Sequence, residues 1–202
     1  HMVRTILVIG AGKSTSYLLD YFLKKSQSEK LRLRIGDIHP ENIPEQFAKH
    51  PHCEVFSLDI FNDEERKNAI SDASIVVSML PASLHSKVAE DCIAYKKHLV
   101  TASYISKEIK ALDEEAKKHG LVFMNEIGLD PGIDHMSAME VIDRIRDAGG
   151  KMLLFESFTG GLVAPESDTN LWHYKFTWNP RNVVLAGQGG AAKFIQEGTY
   201  KY

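Results

Sequence analysis

The stretch R-T-I-L-V-I-G-A-G-K-S-T at positions 4–15 constrains this chain more than any other. Residues 5–9 are an unbroken apolar and β-branched run, of the length and composition of a strand buried on both faces in a parallel sheet. The run ends at Gly10 and passes into residues 13–25, which read as a helix. A strand entering glycines and then a helix makes a phosphate cradle. Gly10 permits the tight turn, Gly12 lets backbone N–H groups approach a pyrophosphate, and the helix N-terminus adds its positive dipole. The nucleotide-triphosphatase alternative suggested by Gly12-Lys13-Ser14 fails on spacing, because it needs a glycine at position 7, which is Leu7. The dinucleotide pattern G-x-G-x-x-G/A finds Gly10 and Gly12, and then Thr15, small but β-branched, in the third place.

A second strand over residues 31–35 ends at Gly36-Asp37, and Asp37 follows Gly10 by 27 residues. An acid at that place accepts hydrogen bonds from the adenosine ribose, and its charge opposes a 2′-phosphate. Asp37 therefore favours NAD over NADP, with NADP still open, although a helix-capping role is the plainer alternative. The expected dinucleotide contacts are Gly10, Ala11, Gly12, Lys13, Ser14, Thr15, Asp37 and Ile38. A third strand, residues 54–58, adds Asp59 and Ile60 near the adenine, with Asp59 equally suited to opening a turn. A fourth, 73–79, sends Ser78, Met79 and Leu80 along the nicotinamide half, since ligands lie beyond the carboxyl ends of such strands. His85, in the helix that follows over 84–96, is expected to face solvent or cap that helix.

Strands over 98–101 and 121–124, separated by a helix over 106–119, complete a strand–helix rhythm through residue 124. The pattern predicts a Rossmann-like, doubly wound parallel sheet over residues 1–125. The segment N-E-I-G-L-D-P-G-I-D-H (125–135) then brings more polar chemistry than a connection needs, although Asp130-Pro131-Gly132 is also a common turn and Asp134 a helix cap. A helix to about residue 147 follows. Beyond Gly149-Gly150, residues 151–159 read as a long strand and 183–186 as another apolar run. Residues 126–202 therefore read as the beginning of an α+β substrate or dimerisation domain, apparently truncated.

Composition narrows the partners. A net charge of −3 offers no basic face for nucleic acid, and no apolar run approaches a membrane span. With two cysteines and no secretory leader, a cytoplasmic setting is expected. His50, His52 and Cys53 cluster without a partner pair at zinc spacing, so no metal is expected. His1-Met2 reads as a cloning remnant.

The stretches V-V-S-M-L-P (76–81), K-K-H-L-V-T-A-S-Y-I-S (96–106), M-N-E-I-G-L-D-P-G-I-D-H-M (124–136), G-G-L-V-A-P-E-S (160–167) and Y-K-F-T-W-N-P-R (174–181) resemble the saccharopine dehydrogenases of the glutamate-forming type. The resemblance runs from Ile6 nearly to the end of the chain. It implies an oxidoreductase that oxidises the C–N bond of saccharopine, through an imine, to glutamate and 2-aminoadipate 6-semialdehyde, or runs the reverse condensation in lysine metabolism. It makes Asp130 the catalytic candidate, facing a substrate amine. Leu80, Pro81, Ser103, Tyr104, Asp130, Pro131, Gly132 and His135 would line an amino-acid substrate pocket. A homodimer through the second domain is compatible with it.

Three departures stand out against that family. Asp37 replaces a basic residue that serves NADP, Thr159 stands where a cysteine is common, and the family's chain is about twice as long. The fragment alone is therefore expected to be inactive, with Arg181 the local candidate for a substrate carboxylate. A related amine-linking enzyme, such as carboxynorspermidine dehydrogenase, and a non-catalytic NAD-binding module are the competing readings.

Overall fold

The computed structural model describes residues 3–177, 180–186 and 191–202. Its contacts divide the chain into two compact units, His1–Thr159 and Gly160–Tyr202.

In the first unit six strands form one parallel sheet: β1 (Arg4–Ile9), β2 (Leu31–Asp37), β3 (Cys53–Ser57), β4 (Ile75–Ser78), β5 (His98–Thr101) and β6 (Phe123–Met124). Their spatial order is β3-β2-β1-β4-β5-β6, all pairs parallel. This is the doubly wound order in which the winding reverses between β1 and β4, opening a crevice beyond their carboxyl ends. Among the described residues seven α-helices accompany the sheet: α1 (Ser16–Ser26), α2 (Glu45–Ala48), α3 (Asp63–Ser71), α4 (His85–Tyr95), α5 (Lys107–Ala111), α6 (Asp113–Lys118) and α7 (Ile133–Asp147).

The alternation of side chains along β1 explains why both faces are covered. Leu7 and Ile9 point into a core with Ile70, Val76, Val88 and Leu99, beneath α3 and α4. Ile6 and Val8 point the other way, to Leu19, Leu23, Leu33 and Phe47, beneath α1 and α2. A strand buried on both faces has no polar side to present, which is why the run in β1 is continuous.

Several boundaries differ from expectation. Helix α1 starts at Ser16 rather than Lys13, because residues 13–14 turn and Thr15 bonds back to the Gly12 carbonyl through both its N–H and its hydroxyl. The single helix expected over 106–119 is two, α5 and α6, meeting at Leu112, with Ser106 capping the first through the Ile109 N–H at 3.2 Å. The largest difference is at 151–159, which forms no strand. A strand needs a partner's ladder, and none of the described residues pairs with this segment; Leu153, Leu154 and Phe158 stand exposed.

The second unit holds α8 (Pro180–Ala186) and an antiparallel hairpin of β7 (Phe194–Gln196) and β8 (Thr199–Lys201). The apolar run at 183–186 is therefore helical, entered through Pro180 at a position that suits proline. Trp178 and Asn179 lie outside the described residues. Among the described residues no helix is long and apolar enough to cross a membrane.

Candidate active site

Two structures meet at the carboxyl edge of the sheet. The first is the turn after β1. Gly10 has φ of +88°, and its N–H donates to the Gly36 carbonyl at 2.9 Å, tying the cradle to β2. A Cβ there would lie 3.2 Å from the Met79 carbonyl carbon and oxygen, so β1 and the end of β4 are in close approach across the crevice. Beyond it Gly12, Lys13 and Ser14 are exposed, and a Cβ at Gly12 would meet nothing within 4 Å. Among the described residues their three N–H groups donate to no protein acceptor. Open N–H groups ahead of an eleven-residue helix are what a pyrophosphate requires.

Asp37, the last residue of β2, turns its carboxylate into this cradle. Its Oδ2 accepts the Ala11 N–H at 2.7 Å and its Oδ1 the His39 N–H at 2.8 Å. The charge is thus pinned beside the glycines, leaving acceptor lone pairs for a sugar hydroxyl and repelling an added phosphate. These residues fit a nicotinamide dinucleotide.

The other expected cofactor residues are more dispersed. Ile38 is 55% exposed beside the cradle, whereas Ile60 is buried in the core. Asp59 accepts the Phe61 N–H at 2.9 Å, a turn-forming bond. Met79 and Leu80 are half-buried at the crevice, and Ser78 is buried with its hydroxyl 2.8 Å from the His85 ring.

Replacing Gly10 by alanine forces a left-handed residue and a tight contact with Met79 at once. The expected cost is about 1–3 kcal/mol in stability, accompanied by roughly tenfold weaker dinucleotide binding. Urea denaturation and nucleotide fluorescence titration would measure the two losses.

The second structure is built from the ends of β5 and β6. The Glu126 N–H donates to the Ser103 carbonyl at 3.0 Å, Ile127 to that of Thr101 at 3.3 Å, and the Ile105 N–H to the Glu126 carboxylate at 3.2 Å. Residues 101–105 and 126–127 are thereby stitched together. The loop then closes on itself, with Gly128 N–H bonding the Pro131 carbonyl at 2.8 Å and Ile133 N–H the Gly128 carbonyl at 2.9 Å. Gly132 has φ of +146°, and a Cβ on it would stand 2.2 Å from the Gly128 oxygen, so this crossing admits only glycine.

On this frame Asp130, Asp134 and His135 bring one ligand-type atom each to within 4.8 Å of one another. They line a cleft of about 240 Å³ with Ala138, Phe155, Ser157 and Thr159. Asp134 does not cap α7 by its position, which belongs to Gly132; instead its Oδ1 accepts the Gly132 N–H at 3.0 Å and meets His135 Nδ1 at 2.8 Å. Burial opposes ionisation of Asp134, but the His135 ring and the backbone N–H groups outweigh it and hold the carboxyl below its usual range. The same pairing raises His135, so the cleft favours one cation among its acids. Tyr104 is exposed, and its phenol is pushed up first by desolvation and then by Asp130, Asp134 and Glu126. It is a hydrogen-bond donor at neutral pH. Asn125 carries a buried side-chain oxygen without a partner among the described residues.

His85 is the site residue that sequence reasoning misplaced. It neither faces solvent nor caps α4: it is 2% exposed, its ring lodged between the ends of β4 and β5. The one sequence signal was polar residues, Ser78 and Thr101, ending otherwise buried strands. Burial lowers the ring's pKa, so below the ordinary histidine value of about 6.5 the unfolded chain binds a proton that the folded chain resists. Stability from this residue is therefore lost as pH falls through that value. Denaturant unfolding at pH 7.5 and 5.5 is expected to show a smaller acid-side loss in His85→Gln than in the parent chain.

Pro81 is exposed at the start of the loop before α4, and Ser103 is half-buried. Arg181 is exposed on α8 in the second unit.

Comparison with known proteins agrees with this geometry. The family model described as "Saccharopine dehydrogenase NADP binding domain" matches residues 6–124, and that described as "Saccharopine dehydrogenase C-terminal domain" matches 128–202. Saccharopine dehydrogenase [NADP(+), L-glutamate-forming] of Saccharomyces cerevisiae is 41% identical over 98% of this chain and 43% of its own length. Its namesake from Pyricularia oryzae is 37% identical over 96% of this chain and 42% of its own. The solved structure of apo saccharopine dehydrogenase (L-Glu forming) from Saccharomyces cerevisiae superposes with a TM-score of 0.82 at 34% identity, covering 98% of this chain and 43% of that one. The chain thus spans less than half the length of these relatives.

Proposed function

The chain belongs to the saccharopine dehydrogenase family, and we propose that it supplies the dinucleotide site and the first wall of the substrate cleft of an oxidoreductase acting on the C–N bond of saccharopine. The observation that carries this reading is the convergence of Asp130, Asp134 and His135 beside Tyr104, a set suited to a cationic amine. In the reaction the substrate carbon loses a hydride and the nitrogen a proton, giving an imine. Water adds to the imine carbon and the C–N bond breaks, leaving glutamate and 2-aminoadipate 6-semialdehyde. When bound, the nicotinamide supplies the hydride acceptor. Asp130 holds the substrate amine and relays its proton, while Tyr104 donates a hydrogen bond within the cleft. Leu80, Pro81, Ser103, Pro131, Gly132 and His135 shape the pocket.

We assign NAD as the preferred cofactor. Asp37 in the cradle supports it, and this chain departs there from relatives named for NADP(+). The division into a dinucleotide part, 1–125, and a substrate part, 126–202, is supported by the limits of the two family matches, although the compact units divide at Thr159. The free thiols of Cys53 and Cys92 suit a reducing compartment such as the cytoplasm.

The test is reduction of NAD and NADP by saccharopine, followed at 340 nm, in a protein extended to the relatives' length. Saccharopine-dependent reduction is expected, with carboxynorspermidine inert. A protein that binds the dinucleotide and ignores saccharopine would overturn the proposal.

A further inference from the structure

We infer that His85 is a positioning residue: its imidazole ties the buried end of β4 to the cleft side of β5 and fixes the direction of the Ser103 hydroxyl. The inference rests on the reading of the cleft at Asp130, Asp134 and His135 as a substrate site.

The geometry carries the argument. Nδ1 lies 2.8 Å from Ser78 Oγ, while Nε2 lies 2.7 Å from Ser103 Oγ and 3.0 Å from Thr101 Oγ1. Ser78 and Thr101 are paired in register as the last residues of adjacent strands. Among the described residues the ring's three partners are all hydroxyls, which donate or accept as required. Among the described residues no carboxylate is bonded to it, and a buried ring without a counter-charge stays uncharged. Such a ring donates from one nitrogen and accepts at the other. Held at both, it cannot rotate without losing a buried hydrogen bond.

Its outer partner matters most. Ser103 is half-buried, precedes exposed Tyr104, and accepts the Glu126 N–H through its carbonyl. The ring therefore links the strand end that leads to Met79 and Leu80, beside the cradle, with the turn stitched to the Asp130 loop. Ser103 is the half-buried partner of the ring and adjoins exposed Tyr104, so His85 acts through that hydroxyl rather than on substrate. A histidine present only for packing would carry no such link.

Two measurements test it. On the 202-residue chain labelled with ¹⁵N-histidine, one ring is expected to hold a single tautomer and to resist protonation as the pH falls below the ordinary histidine value of about 6.5. Ser78→Ala should perturb its Nδ1 and Ser103→Ala its Nε2. A His85 ring that titrates like a free histidine and exchanges tautomers would overturn the inference, whatever the enzyme does. In the extended enzyme, His85→Gln and Ser103→Ala are each expected to lower kcat about tenfold while changing dinucleotide affinity less than about twofold. The double variant should be no worse than Ser103→Ala alone, and His85→Asn should recover part of the loss. Additive losses, or losses confined to dinucleotide KM, would contradict positioning through Ser103. An enzyme inert toward saccharopine would refute the proposed function while leaving the ¹⁵N result to judge His85.

Discussion

Asp91→Ala is expected to lower the unfolding free energy by about 3–5 kcal/mol. Arg66 on α3 is 5% exposed and Asp91 on α4 6% exposed, and their Nε and Oδ2 atoms meet at 2.6 Å. The guanidinium also donates to the Ile60 carbonyl and to Asp63 Oδ1, both at 2.8 Å. Removing Asp91 leaves the buried Nε of Arg66 without its carboxylate, since Asp63 and the Ile60 carbonyl are both engaged by the Nη1 end of the guanidinium. Asp63, whose side chain is 68% exposed, presents a contrast: its loss should cost far less than that of Asp91, because water screens its pairing with Arg66. Replacing both Arg66 and Asp91 by apolar residues of similar size should cost much less than Asp91→Ala, because no buried charge is left unpaired. Urea denaturation at constant m decides it, and an Asp91→Ala loss below about 1 kcal/mol would show that the pair is not buried in solution.

On the proposed function, Asp130→Asn in a protein extended to the relatives' length is expected to reduce kcat for saccharopine oxidation by about 10²–10⁴-fold, the range for loss of a positioned acid–base group. Asparagine keeps the size of the side chain but loses the charge that holds an amine and the site that carries its proton. The loop has no need of that carboxylate for its shape, which rests on the backbone bonds of Gly128, Pro131 and Ile133 and on the Gly132 crossing. Dinucleotide affinity and stability should therefore be nearly unchanged. A fall below about fivefold in kcat would remove Asp130 from the chemistry and leave Asp134 as the acid to examine.

What the sequence revealed followed the range of the forces involved. Strands β1 and β4 and the glycine turn were legible because a strand buried on both faces writes itself as a local apolar run, and Asp37 because its distance from Gly10 follows from one βαβ unit. Residues 151–159 misled because alternation signals a strand only where a partner exists, and no described residue pairs with them. The run at 183–186 is helical because four apolar residues carry no period long enough to separate strand from helix. His85 was hidden for a different reason. Its environment comes from two strand ends distant in sequence, which no window along α4 contains. The Asp130 loop lay between these cases: its residues were conspicuous, but the convergence of Asp130, Asp134 and His135 depends on a Gly128–Gly132 crossing visible only in three dimensions.

The central claim is that residues 10–15 and Asp37 form a dinucleotide site that prefers NAD, and the most direct measurement is a paired titration of the chain with NADH and NADPH by nucleotide fluorescence. NADH is expected to bind at least about tenfold more tightly, and Asp37→Ala to weaken NADH about tenfold while narrowing the gap to NADPH, as the loss of charge-assisted hydrogen bonds implies. Tighter binding of NADPH, or NADH binding unmoved by Asp37→Ala, would contradict the account.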